Sequence, residues 1–193
     1  MKKIIFASQN KGKIREVNNI LNDLNIHLLS LSDMPEQIEI VEDGKSFEEN
    51  ALIKARIVFE KFNIPVIADD SGLVVEQLNG EPGIYSARYA GDQADDKTNN
   101  IKLLEKLKKY PEPHKAKFVC AAVYFDGKET ITARGEFTGR IIDEERGNNG
   151  FGYDPLFMPD SYSITSAELE PEVKNRISHR FNAFVKLKEV LGK

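Results

Sequence analysis

The stretch "KKIIFASQNKGKIREVNNILNDLNIHLLSL", residues 2–31, decides the fold class. "KKIIFAS" is a short apolar run of strand character. "KGKIREVNNILNDLN" then places Ile14, Val17, Ile20, Leu21 and Leu24 at helical spacing. "IHLLSL" is a second strand. Further on, "SFEENALIKARIVFEKF" (46–62) starts with Ser46 and Glu49 in a capping-box pattern. Its Phe47, Ala51, Ala55, Val58, Phe59 and Phe62 lie along one helical face. "IPVIADD" (64–70) predicts a short buried strand that stops at two acids, and "GLVVEQL" (72–78) a separate strand. "ADDKTNNIKLLEKLKKY" (94–110) predicts an amphipathic helix. "AKFVCAAVYFDGKETITARGEF" (116–137) predicts a hairpin turning at Asp126-Gly127. A glycine-rich stretch, "RGNNGFGYDPLF" (146–157), leads to a last helix that starts near Pro171, a residue suited to the first helical turn. Strands, crossover helices and a hairpin together predict an α/β fold with a mixed central sheet. No stretch has linker composition, so residues 1–193 are expected to form one domain.

Charge and composition narrow the function. The formal net charge is −4 and no long run of Lys or Arg occurs, which argues against nucleic-acid binding through an overall field. A local basic pocket for a small anion is compatible with it. Cys120 is the sole cysteine, so no internal disulfide can form, and its apolar surroundings predict a buried core thiol. The apolar run in "MKKIIFASQN" is too short for a signal-peptide core or a membrane span, so a cytoplasmic protein is expected, with no membrane partner.

Five clusters could carry chemistry. In "ASQNKGK" a strand passes through Gly12 and Lys13 into a helix. Turn amides and a helix N-terminus suit an anion, with Ser8, Asn10 and Lys13 adding polar groups and charge. The stretch is not a Walker A loop, because Ile14 stands where Ser or Thr should follow the lysine. A plain turn with a solvated lysine is an equal alternative. In "IADDSGL", Asp69 and Asp70 end a strand, where ligands of open α/β sheets gather. Adjacent carboxylates repel unless a cation or proton intervenes, and hard oxygen ligands suit Mg²⁺. The plain alternative is a turn in which Asp69 caps an amide.

"IEIVEDG" (38–44) has the alternation of a strand ending near Glu42, a candidate second metal ligand. Asn50 and Lys54 share a face of the next helix beside Ala51 and Ala55. In "GFGYDPLF", Gly150 and Gly152 allow close backbone approach. Phe151 or Tyr153 offers a flat surface, and Asp154 an acceptor. A base stacked there is worth about 1–3 kcal/mol. In "KNRISHRF", Val173, Ile177, Phe181, Phe184, Leu187 and Leu191 fall on one stripe at about 100° per residue. Arg180 falls inside that stripe, Lys174 and Ser178 lie on its edge, and His179 projects elsewhere. An arginine facing a core needs an acceptor-rich partner, either a ligand or a carboxylate such as Glu168 or Glu170.

Taken together, "SQNKGKIREV", "FEENALIKA", "IADDSGLVV", "GEPGIYSARYAG", "GNNGFGYDPLF" and "KNRISHR" closely resemble the noncanonical purine nucleoside triphosphate pyrophosphatases, the Ham1 or inosine triphosphatase family, nearly end to end. Ser8 stands where that family commonly has Thr, and the hydroxyl is kept. The resemblance implies an elongated mixed sheet flanked by helices, of the Ham1/Maf type, with a substrate cleft between two lobes and a homodimer. It implies Mg²⁺-dependent hydrolysis of ITP, dITP and XTP to the monophosphate and pyrophosphate. By that pattern Ser8, Gln9, Asn10, Lys11, Gly12 and Lys13 bind the substrate, chiefly its phosphates. Asp70 is the catalytic acid and a metal ligand, and Glu42 another metal-binding acid. Ser71, Phe151, Gly152, Tyr153, Asp154, Lys174, His179 and Arg180 match substrate-binding positions. Lys13 would offset charge on the departing pyrophosphate. Arg180 and His179 would donate to the keto oxygen at C6 of hypoxanthine or xanthine. The division of labour between Asp69 and Asp70 stays open at this level. Two alternatives remain: a Maf-like pyrophosphatase with another base preference, and a nucleotide-binding module without activity.

Overall fold

In the computed structural model, which describes residues 2–192, the opening stretch forms β1 (Lys2–Phe6), α1 (Lys11–Leu21) and β2 (Ile26–Ser30). Asn10 is the N-cap of α1, its Oδ1 accepting the Lys13 amide at 3.1 Å. β1 and β2 pair in parallel, Lys2 opposite Ile26 through Phe6 opposite Ser30. There follow α2 (Phe47–Phe62), β3 (Val66–Val75), α3 (Asp96–Leu107), β4 (His114–Phe125), β5 (Thr130–Ile141), β6 (Phe157–Pro159), α4 (Pro171–Ile177) and α5 (His179–Leu191). The sheet order is β2-β1-β3-β4-β5-β6. The β1–β3 pair is parallel and the β5–β6 pair antiparallel, so the sheet is mixed as expected. No helix among the described residues is long and apolar enough to cross a membrane.

The chain divides into two compact units, and β3, β4 and β5 each contribute residues to both. The first comprises the chain up to Asp70, Cys120–Gly135 and the chain from Arg180 onward. Its core gathers Ile4, Phe6, Val17, Leu21, Ile67, Cys120, Tyr124, Phe184 and Leu187. Phe6 and Phe184 meet edge to face at 5.9 Å, and truncating either to Ala would cost about 3–5 kcal/mol. The second unit comprises Ser71–Val119 and Glu136–His179. Its core gathers Leu73, Val75, Leu103, Leu107, Phe118, Phe137, Tyr153, Leu156 and Phe157.

The structure corrects three local expectations. "IADDSGLVV" is one strand, not two: β3 runs through Ser71 and Gly72 without a turn. The "IEIVEDG" segment is not a strand, since alternation alone supplies no neighbour to bond with. The last helix is two helices. Ser178 has extended backbone between α4 and α5, so the apolar stripe does not continue across it. Val173 is consequently exposed, while Lys174 and His179 are buried. Cys120 is buried as expected, and burial pushes its thiol well above the ordinary range.

Candidate active site

Successive residues of a strand point to opposite faces, and this puts Asp69 and Asp70, adjacent on β3, into different surroundings. Asp69 is 1% exposed. Its Oδ2 takes Lys13 Nζ at 3.0 Å and Arg180 Nε at 3.3 Å, with Cys120 Sγ at 3.9 Å. Lys54 Nζ donates to the Asp69 carbonyl oxygen at 3.0 Å. Burial alone would raise the Asp69 carboxyl. The charges of Lys13, Arg180 and Lys54 outweigh it and hold the group well below the usual carboxylate range. Asp69 is therefore a fixed anion.

Asp70 is 8% exposed and answers to α2. Asn50 Nδ2 donates to Asp70 Oδ2 at 3.1 Å, while Asn50 Oδ1 accepts the Gly44 amide at 2.8 Å. A Cβ on Gly44 would meet Asn50 Oδ1 at 2.7 Å and Glu49 Cβ at 2.8 Å, so only glycine lets the chain pass there. Burial pushes Asp70 up to about 6. The charge of Glu42 adds to the rise, and Lys54 and the Asn50 bond moderate it. Glu42 Oε1 lies 3.0 Å from Lys54 Nζ. Ser46 Oγ caps α2 at the Glu49 amide, and the Glu49 carboxylate accepts the Lys45 amide at 2.7 Å, so Glu49 serves the helix start.

Several predicted residues come together in this unit. Lys13 and Arg180 share one carboxylate oxygen of Asp69. Lys54 links Asp69 to Glu42, and Asp70 follows Asp69 on the strand. The turn Ser8–Lys13 stands at the start of α1, with Gln9, Asn10 and Lys11 exposed. Ser8 Oγ accepts the Asn10 amide at 3.2 Å. Ser8 and Asn10 thus shape the turn with their side-chain oxygens as acceptors.

Arg180 meets carboxylates, though not the two that the sequence suggested. It is 2% exposed, and its Nη1 donates to Glu16 Oε2 at 2.7 Å while its Nε faces Asp69. The carboxylates that meet it are Glu16 and Asp69, not Glu168 or Glu170. Its position on a helix face meant for burial is accounted for by this two-carboxylate seat. Sequence reasoning passed over Glu16, whose only signal is its place one turn after Lys13 on α1. Asn50 was visible as a polar residue on a face with Lys54, but its bond to Asp70 was not.

The second unit holds the glycine-rich loop. Phe151 is 42% exposed, its amide bonded to Asp154 Oδ2 at 2.9 Å. Lys174 Nζ forms an ion pair with the same oxygen and lies 5.2 Å from the Phe151 ring centroid. Gly150 has φ +81°, and a Cβ there would strike Asp154 Oδ2 at 2.1 Å. Tyr153 is a correction. Its ring belongs to the core and its hydroxyl donates to the Ser86 carbonyl at 2.8 Å, so Phe151 alone of the two presents a face. His179 is buried and stacks on Phe118, centroids 5.0 Å apart at 15°. Ser71 continues β3, half-buried.

Comparison with known proteins identifies the family and the fold. Residues 4–190 match the model of the Ham1 family. The dITP/XTP pyrophosphatase of Geobacter sulfurreducens is 49% identical, over 100% of this chain and 98% of that protein. The dITP/XTP pyrophosphatase of Oceanobacillus iheyensis is 47% identical, over 99% of this chain and 98% of that protein. Among solved structures, a HAM1 protein from Coxiella burnetii superposes with TM-score 0.92 at 40% identity, covering 99% of this chain and 98% of its own. The Ham1 protein of Staphylococcus aureus gives 0.90 at 43% identity, covering 98% of each chain. An α/β fold with a mixed sheet, a lysine-bearing strand-to-helix turn and paired aspartates at β3 accompany a full-length match: the chain belongs to the Ham1 family.

Proposed function

We propose that this protein is a nucleoside triphosphate pyrophosphatase that hydrolyses noncanonical purine nucleotides such as dITP, ITP and XTP to the monophosphate and pyrophosphate, with Mg²⁺ as cofactor. The observation that carries this reading is the unlike seating of two adjacent carboxylates, Asp69 ion-paired to Lys13 and Arg180 and Asp70 bonded to the Asn50 amide. Pairs of acids driven apart in this way divide catalytic labour. The relatives named above supply the substrate class.

The residues divide the work as follows. The turn Ser8–Lys13 and the first amides of α1 receive the phosphate chain. Lys13, held by Asp69, meets negative charge as pyrophosphate departs. Asp70 takes the proton from the attacking water. The water oxygen bonds to phosphorus, the bond of the α–β bridge breaks, and its electron pair leaves with pyrophosphate. Asp69 already accepts Lys13 and Arg180 on one oxygen, whereas Asp70 is bonded to a neutral amide, which favours Asp70 over Asp69 as the base. Phe151 offers the base its face, and the Lys174–Asp154 pair supports that ring. Arg180 anchors Asp69 and Glu16.

Glu42 and Asp70 fit a Mg²⁺ site. No group of three or more His, Cys, Asp or Glu able to hold a metal occurs among the described residues. Mg²⁺ characteristically takes one or two carboxylates and fills its shell with water and phosphate oxygens. Glu42 lies near enough to Asp70 for its charge to raise that carboxyl, so the two would offer a dication the pair of hard oxygen ligands it takes. Bound there, Mg²⁺ supplies charge neutralisation for the phosphates.

The test is pyrophosphate release from dITP, XTP, GTP, TTP and dUTP, with Mg²⁺ and with EDTA. Release confined to dITP and XTP in Mg²⁺ is expected. Preference for GTP or a pyrimidine nucleotide refutes the base choice, and full release in EDTA refutes the metal. The proposal extends to a cytoplasmic homodimer; a monomer in sedimentation at micromolar concentration would refute the dimer.

A further inference from the structure

The loop that carries Phe151 contains its own weak point. Gly152 has φ +64°, in the left-handed region, and a Cβ there would meet nothing within 4 Å. Space does not demand glycine, so the backbone conformation does. Glycine is also the residue whose two dihedrals are least restrained by itself. A mobile Gly152 would let the neighbouring Phe151 ring wander.

Two side chains of α3 restrain it. Asp96 Oδ2 accepts the Gly152 amide at 2.7 Å. Asn100 Nδ2 donates to the Gly152 carbonyl at 3.3 Å. The two residues are four apart on a helix, so they stack on one face. Between them they hold the peptide group before the Gly152 Cα and the one after it. That fixes both dihedrals at this residue.

Asn100 does more than pack, because its amide nitrogen serves two acceptors. It is 3% exposed, and Nδ2 also donates to Glu145 Oε1 at 2.7 Å. Its Oδ1 is buried and accepts no hydrogen bond among the described residues. The amide cannot be turned round, because both partners of Nδ2 are acceptors. An apolar residue there would lose both bonds of Nδ2, to Glu145 and to the Gly152 carbonyl. The donor half is what the site keeps. The entry to the loop is held as well, since the Asn148 and Asn149 amides both donate to the Ala167 carbonyl.

We propose that Asp96 and Asn100 are positioning residues for nucleobase recognition, fixing the left-handed turn at Gly152 so that the exposed Phe151 ring is presented in one orientation. This rests on the function proposed above. It gives α3 a role in substrate affinity although neither side chain touches the substrate.

The test is the kinetics of Asp96→Ala and Asp96→Asn with dITP, alongside amide hydrogen exchange at Gly152 without nucleotide. Losing one hydrogen bond is expected to raise KM about fivefold to tenfold. The kcat should stay within about twofold, because a positioned platform acts on binding. Asp96→Asn keeps an acceptor oxygen and should restore most of the KM. Gly152 exchange should quicken in Asp96→Ala and return towards wild type in Asp96→Asn. An unchanged KM in Asp96→Ala overturns the inference, as does a fall in kcat alone. An Asn variant no better than the Ala variant also overturns it, reducing Asp96 to a structural residue. A wild-type protein that cleaves neither dITP nor XTP overturns the parent function and this inference with it; the wild-type control identifies that case.

Discussion

Asp69 and Asp70 are neighbours on β3, yet Asp69 is pinned as an anion by Lys13 and Arg180, while burial lifts Asp70 to about 6. The strand's alternation places them on opposite faces, and each face supplies a different environment. The cations beside Asp69 come from α1 and α5, and the amide beside Asp70 from α2. Unlike roles for like side chains follow from that geometry.

Arg180→Ala should destabilise the protein by about 3–5 kcal/mol, because it removes the Arg180 cation from half-buried Glu16 and leaves buried Asp69 with Lys13 but not Arg180. Arg180 is 2% exposed and bonded to both Glu16 and Asp69. Urea unfolding at constant m-value measures it. A loss under about 1 kcal/mol accompanied by relaxed base choice would return Arg180 to the base-reading role suggested by sequence.

The two aspartates should respond to pH in opposite ways. The folded protein holds the Asp70 proton more tightly than the unfolded chain does. Its contribution to stability is therefore full at acid pH and is lost as pH rises from about 4 through about 6. In EDTA, Asp70→Asn should be more stable than wild type at pH 7, by on the order of 3 kcal/mol, and the gap should close near pH 4. Asp69, held below its ordinary value, contributes above its unfolded value and loses that contribution only as pH falls further. Parallel stability profiles for wild type and Asp70→Asn across pH 4–7 would contradict the assignment.

Phe151 and Tyr153 should separate cleanly. Phe151→Ala removes an exposed ring, so unfolding free energy should change by less than about 0.5 kcal/mol, while KM for dITP rises. Tyr153→Phe deletes the hydroxyl bonded to the Ser86 carbonyl. It should cost about 1 kcal/mol of stability and leave KM as it was. The reverse pattern would place Tyr153 against the substrate.

Much of this was legible in the sequence. Helical periodicity around Val17 and Leu21, and along Phe47, Ala51, Ala55 and Val58, marks faces that are buried in the structure. The Asp126-Gly127 turn joins β4 and β5, with Gly127 at φ +88°. Failures occurred where tertiary partners decide. The residues 38–44 alternate like a strand but have no sheet neighbour. Ser71-Gly72 has turn composition, yet β3 carries it through. The stripe from Val173 to Leu191 hides the break at Ser178, because periodicity does not register one extended residue. β6, three residues long, gave no signal. At the site, Lys13, Asp69 and Asp70 were recognisable by residue type and order. The seat of Arg180 on Glu16 was not, because it joins helices 164 positions apart.

The most direct measurement compares wild type with Asp70→Asn for pyrophosphate release from dITP in saturating Mg²⁺, each checked for folding by thermal melting. The account predicts a folded variant whose turnover falls about 10²- to 10⁴-fold. A folded Asp70→Asn protein releasing pyrophosphate at the wild-type rate would contradict it.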